Sequence, residues 1–184
     1  MRRFVLVAAV VAVMTGSAAA QVQLFAPDKL VEAVTYNDFD TARSLLARGY
    51  NPNAADAQGR SALIVAAIAG NEDLVELILQ HRANADNKDK VGNSALAYAA
   101  TRGHVGVAEL LLDKGADVNV ENRQGMTPLI LAASEGRIDV LQLLLERKAL
   151  TDLRDYTGRT ALMWAQRAGK RAAIRILEQA GVRE

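Results

Sequence analysis

Asn122-Arg123-Gln124-Gly125-Met126-Thr127-Pro128-Leu129-Ile130-Leu131-Ala132-Ala133-Ser134-Glu135-Gly136 spells out a turn, a helix start, a helix and a helix stop. Asn122 can close a turn on the backbone with its side chain, and Gly125 supplies a positive φ. Thr127 stands where an N-cap belongs, directly before an apolar run. Pro128 suits the first helical position, because the N–H it lacks would have no partner there. Gly136 stops the helix in the left-handed conformation. The stretch therefore predicts a helix over Pro128–Glu135.

Moving 33 residues either way recovers the same text. Gly59, Gly92, Gly125 and Gly158 keep the step, as do Leu63, Leu96, Leu129 and Leu162, and Gly70, Gly103, Gly136 and Gly169. Each copy opens on Asp/Asn-x-x-Gly, from Asp56, Asp89, Asn122 and Asp155, and each then offers a hydroxyl cap: Ser61, Ser94, Thr127 or Thr160. The matching helices are expected at Ala62–Ala69, Ala95–Arg102 and Ala161–Ala168. A second, amphipathic helix follows in every copy. Its stripe reads Leu74, Leu77, Ile78, then Val107, Leu110, Leu111, then Val140, Leu143, Leu144, then Ala173, Ile176, Leu177, the i, i+3, i+4 spacing of a buried face. Gly49, Gly115 and Gly181 close this helix, and Arg82 and Lys148 stand in the same place. Asn37 stands where Gly70 does. A fixed period of this length means stacked supersecondary units rather than one globular core.

These residues resemble the ankyrin pattern. Gly125-Met126-Thr127-Pro128-Leu129 and Gly115-Ala116-Asp117-Val118-Asn119 are similar to its two signature stretches, and Gly103-His104 to its inter-helix turn. The departures are Ala62, Ala95 and Ala161 for proline, and no histidine after Leu63, Leu96, Leu129 or Leu162. The resemblance spans about Asp28 to Gly181. It implies an all-α solenoid of about five helix-turn-helix repeats with short β-turn fingers, at about 23–55, 56–88, 89–121, 122–154 and 155–184. Thr41 and Ser44 replace the aliphatic pair of the inner copies, and Glu178 replaces Leu79, Leu112 and Leu145. Such polar substitution is expected of capping copies.

Residues 1–20 lie outside the repeat. Met1-Arg2-Arg3 is basic, Phe4 to Met14 apolar, and Ala18 and Ala20 fit a small-residue cleavage site, so a signal peptide removed before Gln21 is expected. The apolar run falls short of the ~20 residues that a spanning helix needs, so no membrane insertion is expected after cleavage. A short leader of this kind points to a bacterial periplasmic or secreted protein. The absence of cysteine excludes disulfides and lipid attachment to a thiol. Removing Arg2 and Arg3 takes Lys plus Arg from 22 to 20 against 21 Asp plus Glu, a net charge of −1. Bulk charge therefore favours neither nucleic acid nor membrane.

No nucleophile–base set, metal spacing or phosphate loop is present, so no enzyme activity, cofactor or metal is expected. The aligned Asp56, Asp89 and Asp155 are explained as turn formers, Ser61 and Ser94 as caps, His104 as a locally bonded side chain in its turn, and His81 as a helix-end residue where a cation suits the dipole and no partner stands at metal-ligand spacing. Trp164 is expected to be partly buried against the neighbouring helix. By resemblance, ligands bind on the concave face, at the finger tips and the exposed side of the first helices. Mapped onto this sequence, the partner-binding residues are Tyr36, Arg60, Lys88, Lys90, Arg102, Arg123, Met126, Arg154, Tyr156, Arg159 and Arg167. Eight of them are Lys or Arg. The expected partner is another protein with an acidic surface, engaged by arginine as bidentate donor, with the chain acting as a monomeric, non-catalytic scaffold. Nucleic acid suits the charge but not the expected compartment. The alternatives are a translocated effector acting on a host protein and a binder of polyanionic envelope polymer. Replacing Ala18 and Ala20 by bulky residues should block processing, read by mass spectrometry of the protein recovered from the soluble envelope fraction. Recovery of wild-type protein that still begins at Met1 would contradict the leader.

Overall fold

The computed structural model of the chain describes residues 28–181. The leader, its cleavage site and the first residues of the first copy lie outside these. Ten helices follow one another: α1 Lys29–Thr35, α2 Phe39–Ala47, α3 Ala62–Ala69, α4 Glu72–Gln80, α5 Ala95–Arg102, α6 Val105–Asp113, α7 Pro128–Glu135, α8 Ile138–Glu146, α9 Ala161–Arg167 and α10 Arg171–Gln179. They form five helix pairs, with a single isolated β-bridge, Ala55 to Ser61, among the described residues. The odd-numbered first helices pack in one row and the even-numbered second helices in another.

Local chemistry explains the boundaries. Ser61, Ser94, Thr127 and Thr160 each accept the N–H three residues on. Gly70, Gly103 and Gly136 cap their helices at φ 73°, 83° and 71°. Helix α9 is one residue shorter than the sequence predicts, because Ala168 takes up the cap position with right-handed dihedrals before Gly169 turns left-handed. The first helices carry small residues inward. Ala66, Ala67, Ala99, Ala100, Ala132 and Ala133 are fully buried, and such small side chains let neighbouring helices approach closely. The second helices carry Leu74, Ile78, Leu111, Leu141, Leu144 and Leu177, and these hold them further apart. The first helices accordingly contact one another more extensively than the second helices do, as expected of a stack with first helices and fingers on its inner side. Leu110 and Ile176 are only partly buried, so the stripe is narrower there than the sequence implies. At the two ends Thr41, Ser44 and Glu178 are exposed, whereas their counterparts Leu74, Leu77 and Leu79 are buried.

Away from the fingers, two rows of polar contacts run between copies. At the inter-helix turns, Asn71 Nδ2 donates to Asn37 Oδ1, His104 Nε2 meets the Ile68 carbonyl at 3.3 Å, and Arg137 Nε donates to the Thr101 carbonyl at 2.9 Å. In the loops between copies, Asn53, Asp86 and Asn119 accept the N–H groups of Asn84, Asp117 and Leu150 at 2.8–2.9 Å. His104 is thus bonded to the preceding copy and not within its own turn. His81 Nδ1 lies 2.9 Å from the Leu77 carbonyl of its own helix.

Asn37, Arg82 and Lys148 have φ of 57°, 62° and 61°. The left-handed region costs a side-chain-bearing residue roughly 1–2 kcal/mol. Part of that is offset when glycine frees the unfolded chain. Arg82→Gly and Lys148→Gly should therefore each raise stability by about 0.5–1 kcal/mol, read as a higher urea midpoint. By contrast, Leu111→Ala at the fully buried centre should cost about 2–5 kcal/mol and lower the midpoint.

Candidate functional site

The inner face is built on four turns of identical geometry. One side-chain oxygen, Oδ1 of Asp56, Asp89, Asn122 or Asp155, accepts two backbone N–H groups, two and four residues on, at 2.8–3.0 Å. The same residue's own N–H donates to the carbonyl four residues ahead, as from Asp155 to Arg159 at 3.0 Å. Each finger then hangs on the one before it. Lys90, Arg123 and Tyr156 donate their N–H to the carbonyls of Gln58, Val91 and Gln124 at 3.0–3.3 Å. The approach leaves no space for a side chain at Gly92, where a Cβ would lie 2.6 Å from Arg123 N, and its φ of 86° independently selects glycine.

What differs between copies is the second oxygen of the turn residue. Asp56 Oδ2 takes the Arg60 guanidinium, with Nε at 2.8 Å and Nη2 at 2.7 Å. Asp89 Oδ2 accepts the Tyr98 hydroxyl at 2.6 Å. Asp155 Oδ2 accepts the Trp164 indole N–H at 2.9 Å. Asn122, whose amide replaces the carboxylate, donates to Asn93 Oδ1 at 2.9 Å. Burial pushes the Asp56 carboxyl up, but the Arg60 N–H and guanidinium and the Gln58 N–H outweigh it, and its pKa lies below the ordinary value. Asp155 behaves alike: burial raises it, and the Thr157 hydroxyl, the Arg159 N–H, the Trp164 indole and the Thr157 N–H bring it below. Burial, then the Asp89 hydrogen bond, pushes the Tyr98 phenol up.

The expected binding residues fall into separate groups. Lys88, Arg123 and Tyr156 line one surface groove with Glu121, and Lys88 Nζ donates to the Glu121 carbonyl at 2.7 Å. Lys90 and Arg102 are exposed. Arg154 Nη1 donates to the Gly158 carbonyl at 2.8 Å and lies 3.8 Å from Met163 sulfur. Arg159 and Arg167 both lie over the Trp164 ring, 5.5 and 5.8 Å from its centroid. Met126 is half-buried against the core. Arg60 is held by Asp56. Tyr36 lines a different groove on the first copy, with Glu32 and Asp38. Trp164 is partly buried, as the sequence implies, but its indole N–H and its two cations went unforeseen. The loop row of Asn53, Asp86 and Asn119 was also missed, although its 33-residue spacing was a signal in plain view. Among the described residues no helix is long and apolar enough to cross a membrane, and no group of three or more metal-ligating side chains gathers.

The regular display of side chains from the fingers and first helices offers a continuous surface along the stack. The family model for ankyrin repeats (three copies) matches residues 30–122 and again 117–183. The chain belongs to the ankyrin-repeat family, whose arrays are protein–protein interaction scaffolds and are generally non-catalytic.

The depressed pKa of Asp155 sets the direction of its pH dependence. Its contribution to stability is present above the unfolded carboxylate value, about 3.9, and is lost as pH falls through the lower folded value. Asp155→Asn keeps the Oδ1 acceptor but confronts the indole N–H with an amide. It should cost about 1 kcal/mol at pH 7 and markedly less at pH 3, measured as urea midpoints at the two pH values.

Proposed function

We propose that this is an exported bacterial scaffold or accessory protein that grips an acidic surface of another protein with its finger and first-helix face. The supporting observation is a segregation of charge. The inner face carries Arg60, Lys88, Lys90, Arg102, Arg123, Arg154, Arg159 and Arg167, and of these only Arg60 forms an ion pair among the described residues. The second helices of the three inner copies, α4, α6 and α8, carry Glu72, Asp73, Glu76, Glu109, Asp113, Asp139 and Glu146 and no Lys or Arg, whereas the end helices α2 and α10 carry Arg43, Arg171 and Arg175. With the −1 net charge expected once residues 1–20 are removed, the protein is neutral in bulk and polarised in space. Such a field steers an acidic partner to one face and keeps it from the other. Arginine guanidinium groups supply bidentate hydrogen bonds to carboxylates, and Tyr156, 74% exposed, supplies apolar contact beside them.

The test is cross-linking of the protein in its native envelope, with identification of the captured species. Arg123→Glu with Arg154→Glu should abolish capture and leave helicity and melting nearly unchanged, since both side chains are exposed. Arg175→Glu on the exposed side of α10 should have little effect. Undiminished capture by the Arg123/Arg154 variant would show that the basic face is only a solvated surface.

A further inference from the structure

The fifth copy differs from the second in a way that redirects a charge. Arg60 and Arg159 occupy the same repeat position, as do Asp56 and Asp155, and Val65 and Trp164. In the second copy, with an aliphatic Val65, Asp56 Oδ2 is open and Arg60 closes on it in an ion pair at 2.7 Å. In the fifth copy the Trp164 indole N–H occupies that oxygen at 2.9 Å. Arg159 keeps its backbone bond to Asp155 Oδ1, but its guanidinium is turned out onto the indole face and donates to a neutral hydroxyl, Thr157 Oγ1, at 2.6 Å. Arg167, one helical turn beyond Trp164, lies over the same ring. Neither arginine forms an ion pair among the described residues. Stacking holds a guanidinium in place while leaving its edge N–H groups free to donate. Two cations are thus held on one ring whose nearest carboxylate is buried and already bonded.

We propose that Arg159 and Arg167, held on Trp164, form the anchor for a side-chain carboxylate of an acidic segment of the partner protein. This rests on the reading of the basic face given above and names the place where it binds hardest. Preorganised arginines lose less freedom on binding than solvated ones, which is what distinguishes an anchor from its surroundings. Half-buried Met163, adjacent to Trp164 in the chain, offers apolar contact that a polypeptide can use and a polyphosphate chain cannot.

The chain has a single tryptophan, so emission excited selectively at the indole reports this site alone. Titration of the purified protein with an acetylated, amidated hexaglutamate peptide should give a saturable change in emission. Calorimetry should give the same Kd. Arg159→Gln with Arg167→Gln should weaken binding by at least about tenfold, the equivalent of one charge-assisted hydrogen bond. Trp164→Val removes no cation but recreates the second copy, freeing Asp155 to recapture Arg159. It should weaken binding by a similar factor in calorimetry, with far-UV circular dichroism confirming an intact array. Arg123→Gln should have a smaller effect. Wild-type affinity in both the arginine double variant and Trp164→Val would overturn the anchor. Equal losses in Arg123→Gln and the arginine double variant would also overturn it, while leaving the broader basic face standing. Tighter binding of inorganic polyphosphate than of hexaglutamate would overturn the protein carboxylate as its ligand.

Discussion

One side-chain oxygen at the start of each copy, on Asp56, Asp89, Asn122 or Asp155, does most of the organising on the inner face. By accepting two backbone N–H groups it fixes the turn, and the fixed turn presents the next finger's N–H to the previous finger's carbonyl. The turn also places the hydroxyl cap in front of the first helix, and so sets where the alanine-rich face begins. Without that oxygen these N–H groups, several of them partly buried, would need other partners, at a cost of up to a lost hydrogen bond each. The geometry is equally served by carboxylate and amide, which is why Asn122 substitutes freely. Only the second atom of the side chain is left over for diversity, and the copies spend it on an arginine, a tyrosine, a tryptophan and an asparagine.

This division explains what the sequence disclosed. The turn, the hydroxyl caps, the glycine stops and the left-handed Asn37, Arg82 and Lys148 are all decided within about five residues, and repetition removes ambiguity by aligning each unusual residue with glycine. The destination of Arg159 was not legible. Its position in the repeat equals that of Arg60, and by alignment alone the two should pair alike. The outcome depends on whether residue 164 brings a hydrogen-bond donor to Asp155, nine residues along the chain and across the turn. Competition for one oxygen is a three-dimensional fact. The same holds for Tyr98 and Asp89. Position in the repeat likewise could not show that Tyr36 belongs to another groove or that Met126 leans into the core.

The outer side carries its own electrostatics. Arg147 bridges Glu109 at 3.5 Å and Asp113 at 2.7 Å. Exposed pairs of this kind contribute little to stability, typically 0–1 kcal/mol, so the array depends on burial and on its hydrogen-bonded rows for cohesion. Surface charge is then free to vary without endangering the stack, and a binding face can diverge on a fixed frame.

The rows share a direction. In the finger row, the inter-helix row and the loop row, the later copy donates and the earlier copy accepts. The solenoid is therefore polar along its axis, with a donor end and an acceptor end. Along these three rows a chain synthesised from its N-terminus meets acceptors that are already in place, since each newly made copy brings the protons and the finished one holds the lone pairs; the Lys88 bond to the Glu121 carbonyl, outside the rows, runs the other way. Assembly along the rows can therefore proceed as sequential templating.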